Sequence, residues 1–181
     1  DDYLPKDSFA YESFVKNLTE WKGHGYGFCF MGKATGIPMV LSYNKEIMDR
    51  LGIDIWEQYI YKGIWTWENF VNVARAATQD VDGDGIVDQW GLKGWSEQEI
   101  AYCLIASNGG RIISYGDDGS VKYTLHNDPK SVKALQFMSD LYNVYKVTFM
   151  GGNAKEIMQN GFGAMSLLLN AGSFSASYYT D

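Results

Sequence analysis

The chain has 181 residues, enough for one domain with a core of its own. It carries 15 Lys and Arg against 22 Asp and Glu, a net charge of −7. That balance argues against nucleic acid or an anionic membrane surface as partner, since both reward a basic face. No apolar run reaches transmembrane length, and no signal peptide is present in the chain.

Phe9, Phe14, Leu18 and Trp21 have rough helical spacing and predict a short helix. Gly23, Gly25 and Gly27 then break regular structure, but not with the spacing of a phosphate-cradling loop. Residues 36–43, opened by Gly36 and Pro38, predict a strand. Asn44 caps a helix over about 45–51, with Gly52 as its stop. Thr66 caps the next, whose apolar positions are Trp67, Phe70, Val71, Ala74 and Ala77. Residues 89–92 predict a strand, with Trp95 just past its end. Trp67 and Trp90, each on a regular element, are assigned to the core. Ile100, Ala101, Leu104 and Ile105 mark a further helix, ended at Asn108, Gly109 and Gly110. Residues 111–114 extend, 116–119 turn, and Val121, Tyr123 and Leu125 alternate as in a half-exposed strand. Asp128 and Pro129 open a long helix with the stripe Val132, Leu135, Met138, Leu141, Tyr142 and Tyr145. A helix over about 154–159 and a continuously apolar strand over 163–169 complete the pattern. Strands alternate with helices, so the fold class is α/β, a sheet flanked by helices.

Between the helix capped by Thr66 and the helix marked by Ile100 lies an acidic loop, residues 80–91. Asp80, Asp82, Asp84 and Asp88 stand at positions 1, 3, 5 and 9 of a calcium-type loop. Gly85 is at the sharp turn, and Ile86 is where a backbone carbonyl serves as ligand. Position 12, where an EF-hand has a bidentate Glu, holds Gly91. Two readings stay open. One is a structural calcium site; the other is a metal-free turn in which the Asp side chains take backbone N–H groups.

The two cysteines, Cys29 and Cys103, lie in no metal or redox motif and read as buried free thiols, with a disulfide left open. His24 and His126 read as surface residues. No nucleophile triad or His-metal spacing is present. Glu97 and Glu99 pose as a glycosidase pair, yet side chains two apart on a helix face different ways. The readings other than ligand capture are a calcium-binding structural or adhesive module and, behind it, a fragment of a glycoside-acting enzyme.

The ordered motifs together resemble one family. They are Gly36, Ile37 and Pro38 with Tyr43, Asn44, Lys45 and Glu46; Trp65 to Phe70; the 80–91 loop ending in Gln89, Trp90 and Gly91; Leu104 to Gly110; Asp118 and Gly119 leading to 127–131; Ala134 to Met138 with Leu141 and Tyr142; and Gln159 to Met165. In this order they are similar to the sugar-type extracellular solute-binding proteins of ABC importers, the group that includes maltose-binding protein. The likeness covers roughly residues 36–175.

The resemblance implies one lobe of a type II, periplasmic-binding-protein-like fold. Residues 1–43 would be the tail of a first lobe plus a hinge strand, and 44–181 most of the second lobe. The remainder of the parent, including the first lobe, is absent from the chain. It implies capture of an oligosaccharide without catalysis and hand-over to permease subunits. The protein would be lipid-anchored at the cell surface or periplasmic. Implied substrate-binding residues are Tyr43 at the hinge, Trp95, Glu97 and Glu99 in the segment before the helix marked by Ile100, Asn108 at the end of that helix close to the same rim, and Phe174 in the loop after the last strand. Stacking rings and planar polar groups suit sugars. A lobe alone would expose apolar groups such as Trp95 and Phe174 and self-associate.

Overall fold

A computed structural model describes residues 20–21, 24–25, 40–94, 96–152 and 154–168. The short strands β1 (Glu20–Trp21) and β2 (His24–Gly25) pair antiparallel, Trp21 opposite His24. The predicted helical spacing therefore does not reach Trp21, and Gly25 lies in a strand; Phe9, Phe14, Leu18, Gly23, Gly27 and Cys29 are outside the described residues.

The main sheet has the order β3 (Val40–Tyr43), β7 (Gly163–Leu168), β4 (Trp90–Leu92). β7 runs antiparallel to β3, with Tyr43 opposite Met165, and parallel to β4, with Leu92 opposite Met165. Its central position explains its composition. Ala164, Met165 and Ser166 are all buried, as a strand covered on both faces requires.

The helices begin where the capping residues place them. Asn44 accepts the Ile47 N–H at the start of α1 (Lys45–Arg50), and Gly52, at φ 66°, follows its end. Thr66 accepts the Asn69 N–H at the start of α2 (Trp67–Ala77). Ser96 accepts the Glu99 N–H at the start of α3 (Glu97–Ser107). The hairpin β5 (Ile113–Tyr115) and β6 (Val121–Tyr123) precedes α4 (Pro129–Asn143), capped by Asp128; α5 (Ala154–Gln159) leads into β7. An element not signalled by the sequence pattern is a single π-helical turn, Trp56–Ile60.

α2 buries Phe70, Val71, Val73, Ala74 and Ala77, and α3 buries Ile100, Cys103, Leu104 and Ile105. Together with Leu92 and Met165 they form one aliphatic core. β4 lies so near α2 that a Cβ on Gly91 would stand 1.9 Å from the Ala74 carbonyl oxygen.

Three expectations are corrected. Val132 is 46% exposed; α4 buries Ser131, Ala134 and Leu141, while the other expected positions, Leu135, Met138, Tyr142 and Tyr145, pack half-buried against the core. Small residues win that face because the chain at Gly110 presses onto Ser131, leaving 2.5 Å between its Oγ and a Cβ built there. β6 is exposed along its whole length rather than half-exposed. Trp67 and Trp90 are only half-buried. Trp67 stacks on Phe137 at 4.3 Å and donates its indole N–H to Ser107 Oγ, while Trp90 leans on Phe149. A polar-tipped ring finds its partner more readily at the edge of an aliphatic core than inside it.

Candidate functional site at the end of the parallel strands

In open α/β sheets the polar groups that meet a ligand gather beyond the C-terminal ends of the parallel strands. Here that region begins at Lys93, directly after β4. Its backbone N–H still bonds the Met165 carbonyl at 2.8 Å, so the residue is held by the sheet. The residue is 4% exposed. The ammonium donates to Phe149 O at 3.0 Å and to Gly151 O, and lies 4.2 Å from the centre of the Phe149 ring. Burial pushes it below the ordinary lysine range, and the neighbouring Glu97 opposes that.

The segment that receives Lys93 is placed by the end of α4. Lys146 adopts φ 52° after the helix, and Val147 then accepts the Leu92 N–H at 3.0 Å. Residues 147–151 thus run beside β4. Gly151, at φ 77°, donates its N–H to Glu97 Oε1 at 3.2 Å.

Glu97 is the first residue of α3 and half-buried. Its carboxyl is held below the ordinary range by its own backbone N–H first, then by Gly151 and by Lys93. Burial pushes the nearby Tyr142 hydroxyl up to about 12, and the Glu97 charge adds to it. Glu99 points elsewhere, as spacing on a helix requires. Its Oε2 is buried without a hydrogen-bond partner among the described residues, and desolvation raises its pKa. It faces Cys103, a free buried thiol pushed to about 11 by burial and secondarily by Glu99. The two glutamates do not converge as a catalytic pair.

Tyr43 ends β3, two strands from Leu92 at the same level of the sheet, and is 41% exposed. Trp95 and Phe174 lie outside the described residues. Asn108 does not share the rim of Glu97. It is the C-cap of α3, roughly 16 Å away along a helix rising about 1.5 Å per residue. Its amide donates to Lys130 O at 2.7 Å. It lines a separate cavity of about 460 Å³ with Trp65, Trp67, Leu41, Leu104 and Leu167. Lys93 and the 147–151 segment were not marked by any motif, and Tyr142 was marked only as a helix packing position. A lysine inside an otherwise apolar strand end was the one signal available.

The acidic loop is held by its own side chains. Asp80 takes the N–H groups of Gly83 and Gly85, both at 2.7 Å, and these bonds hold its carboxyl low, Gly85 foremost. Asp82 takes the Asp84 N–H, Asp84 the Ile86 N–H, and Asp88 the Val81 N–H. Oxygens of Asp80, Asp82 and Asp88 also converge within 4.8 Å of one another; Asp84 is not of this group. A fourth ligand at Gly91 is excluded by the contact of β4 with α2.

A profile of the bacterial extracellular solute-binding protein family matches residues 2–178. Among solved structures, an ABC transporter solute-binding protein from Thermotoga lettingae, bound with α-D-tagatose, superposes with a TM-score of 0.59 at 20% identity; the match covers 90% of this chain and 40% of that one. The maltose/maltodextrin-binding domain MalE from Bdellovibrio bacteriovorus, bound to maltotriose, gives 0.58 at 21%, covering 91% and 40%. The Thermus thermophilus maltotriose-binding protein gives 0.55 at 18%, covering 87% and 37%. The chain thus spans about two-fifths of the length of these structures, and the likeness establishes the type II periplasmic-binding-protein fold. By the match along nearly its whole length, the chain belongs to the bacterial extracellular solute-binding protein family.

Proposed function

We propose that this chain is most of one lobe of a protein that captures a carbohydrate or polyol outside the cell and delivers it, chemically unchanged, to the permease of an ABC importer. The observation that carries this is the Glu97 carboxylate at the end of the parallel strands. Its Oε1 accepts the Gly151 N–H at 3.2 Å, and the residue is half-buried, so the carboxylate is held in place without being fully enclosed. A charged acceptor held by one oxygen suits a sugar hydroxyl, and such bonds are stronger than neutral ones. Tyr43, Trp95 and Phe174 are proposed to complete the surface, with Glu99, beside Cys103, and Asn108 acting from the side of the neighbouring cavity. β3 is proposed as the crossing strand, closure occurring around residues 36–44. A lipid-anchored or periplasmic location accords with the family. Among the described residues, no helix is long and apolar enough to cross a membrane.

The test is a tryptophan-fluorescence and calorimetric screen of maltodextrins, monosaccharides and polyols against this chain and against a chain that includes the first lobe. Binding by the longer form that is lost in Glu97→Gln supports the proposal. Failure of every sugar and polyol with the longer form overturns it. The convergence of Asp80, Asp82 and Asp88 keeps a second, structural proposal: the loop takes a calcium ion, weakly, because the oxygens of Asp80 already serve N–H groups. Heat on calcium titration that is absent in Asp80→Asn supports it; no heat at millimolar calcium rejects it.

A further inference from the structure

Lys93 presents an energetic puzzle. A buried ammonium loses hydration that a methionine of similar length would not lose, and exchanging a buried charge for a fitted apolar group is often neutral or stabilising. Stability alone does not call for a lysine at this position. Its partners show what it does there. Two of its three donors go to carbonyls of one short segment, Phe149 O and Gly151 O, and its charge rests on the Phe149 ring. Gly151, whose carbonyl it takes, gives its N–H in the other direction, to Glu97 Oε1. One peptide residue therefore connects the cation to the carboxylate. Gly151 and Gly152 have φ of 77° and 79°, a backbone shape with little hold of its own on L-residue geometry, so the segment depends on such external ties.

We propose that Lys93 is a positioning residue for ligand capture: by pinning Gly151 it fixes, through Oε1, the Glu97 carboxylate that accepts a hydroxyl of the bound carbohydrate. The ligand part of this statement rests on the function proposed above; the link from Lys93 through Gly151 to Glu97 does not. Groups that face Glu97 are Lys93 from the end of β4, Tyr142 from α4, the Gly151 amide, and its own backbone N–H at the start of α3.

The experiment has two arms. The first follows the Gly151 amide and the Glu97 carboxyl carbon by NMR from pH 3 to 7, in this chain and in Lys93→Met and Lys93→Arg. The amide of the unaltered protein tracks the Glu97 titration. In Lys93→Met that tracking disappears, while melting by circular dichroism shows the fold retained. Should Lys93→Met fail to fold, Lys93→Arg is read instead: the guanidinium keeps the charge but alters the reach to Phe149 O and Gly151 O, and it weakens the tracking. Tracking unchanged in the variant that folds overturns the proposal. The second arm measures sugar affinity in the longer form. Lys93→Met weakens binding about tenfold, the scale of one hydrogen bond to a charged group. It adds little further loss in a Glu97→Gln background. Equal losses in both backgrounds overturn the positioning role. If no form binds sugar while the NMR linkage is present, the function proposed above falls and the Lys93–Gly151–Glu97 linkage stands.

Discussion

Replacing Gly91 by alanine tests the packing of β4 against α2 directly. The added Cβ would lie 1.9 Å from Ala74 O, 2.5 Å from Ala74 C and 2.7 Å from Ala74 Cα. Ordinary contact needs about 3.5 Å between such atoms, so strand and helix must separate by well over 1 Å. No rotamer change relieves this, because both sides of the contact are backbone. Overpacking of a core by a methylene or so costs about 1–3 kcal/mol. With the clash on backbone, we expect the upper end, about 3 kcal/mol. For a domain of this size that corresponds to a fall in Tm of roughly 6–12 °C. Thermal and urea unfolding followed by circular dichroism would measure it. Gly119→Ala is a useful contrast: no atom lies within 4 Å of its Cβ, so its cost is only that of φ 74°. A Gly91→Ala protein that melts within 2 °C of the parent would refute the close approach of β4 to α2, and with it the exclusion of a metal ligand at that position.

Other expectations follow from single groups. Thr66→Ala removes the acceptor for the Asn69 N–H and costs about 1 kcal/mol, read from the urea midpoint. Asp80, Asp118 and Asp128 all have depressed carboxyl pKa values, led by the Gly85 N–H, the Ser120 hydroxyl and the Ser131 hydroxyl respectively. The stability they lend is complete above the ordinary carboxylate range and is lost as pH falls through their folded values, so the melting temperature should decline below about pH 4. Glu99 runs the other way. Its folded pKa is raised, so its ionisation opposes folding above that value; Glu99→Gln should stabilise the protein at pH 7, and the gain should close as the pH is lowered toward the ordinary glutamate range. Cys103 should resist iodoacetamide at pH 8 in the folded protein and react on unfolding, since its thiol is pushed to about 11.

Capping chemistry made much of the fold legible. Asn44, Thr66 and Asp128 each accept the N–H three residues on, and the helices start where they predict. The apolar run at 163–168 was recognisable as a buried strand because both of its faces are covered. The core side of α4 was legible in Leu135, Met138, Leu141, Tyr142 and Tyr145 but not at its first turn. Periodicity favours Val132, but close contact at Gly110 selects Ser131, and nothing local in the sequence shows that contact. The candidate site was half legible. Glu97 and Glu99 could be singled out by place, yet their different surroundings come from distant chain. Gly151 lies 54 residues from Glu97, and Phe149 lies 56 from Lys93. The acidic loop was readable in outline only, since the same Asp oxygens that suit a cation also suit the backbone N–H groups they hold.

The place of β7 in the middle of the sheet governs how the chain can fold as it is made. Its partners β3 and β4 are synthesised far earlier; Tyr43 must wait for Met165, about 120 residues later. Until then the two strands have nothing to join them, and α3 lacks the central strand it packs on. Contacts of such long sequence separation slow folding and leave intermediates open to aggregation. A growing chain therefore remains unfinished, and dependent on whatever escorts it, until its last described strand has emerged.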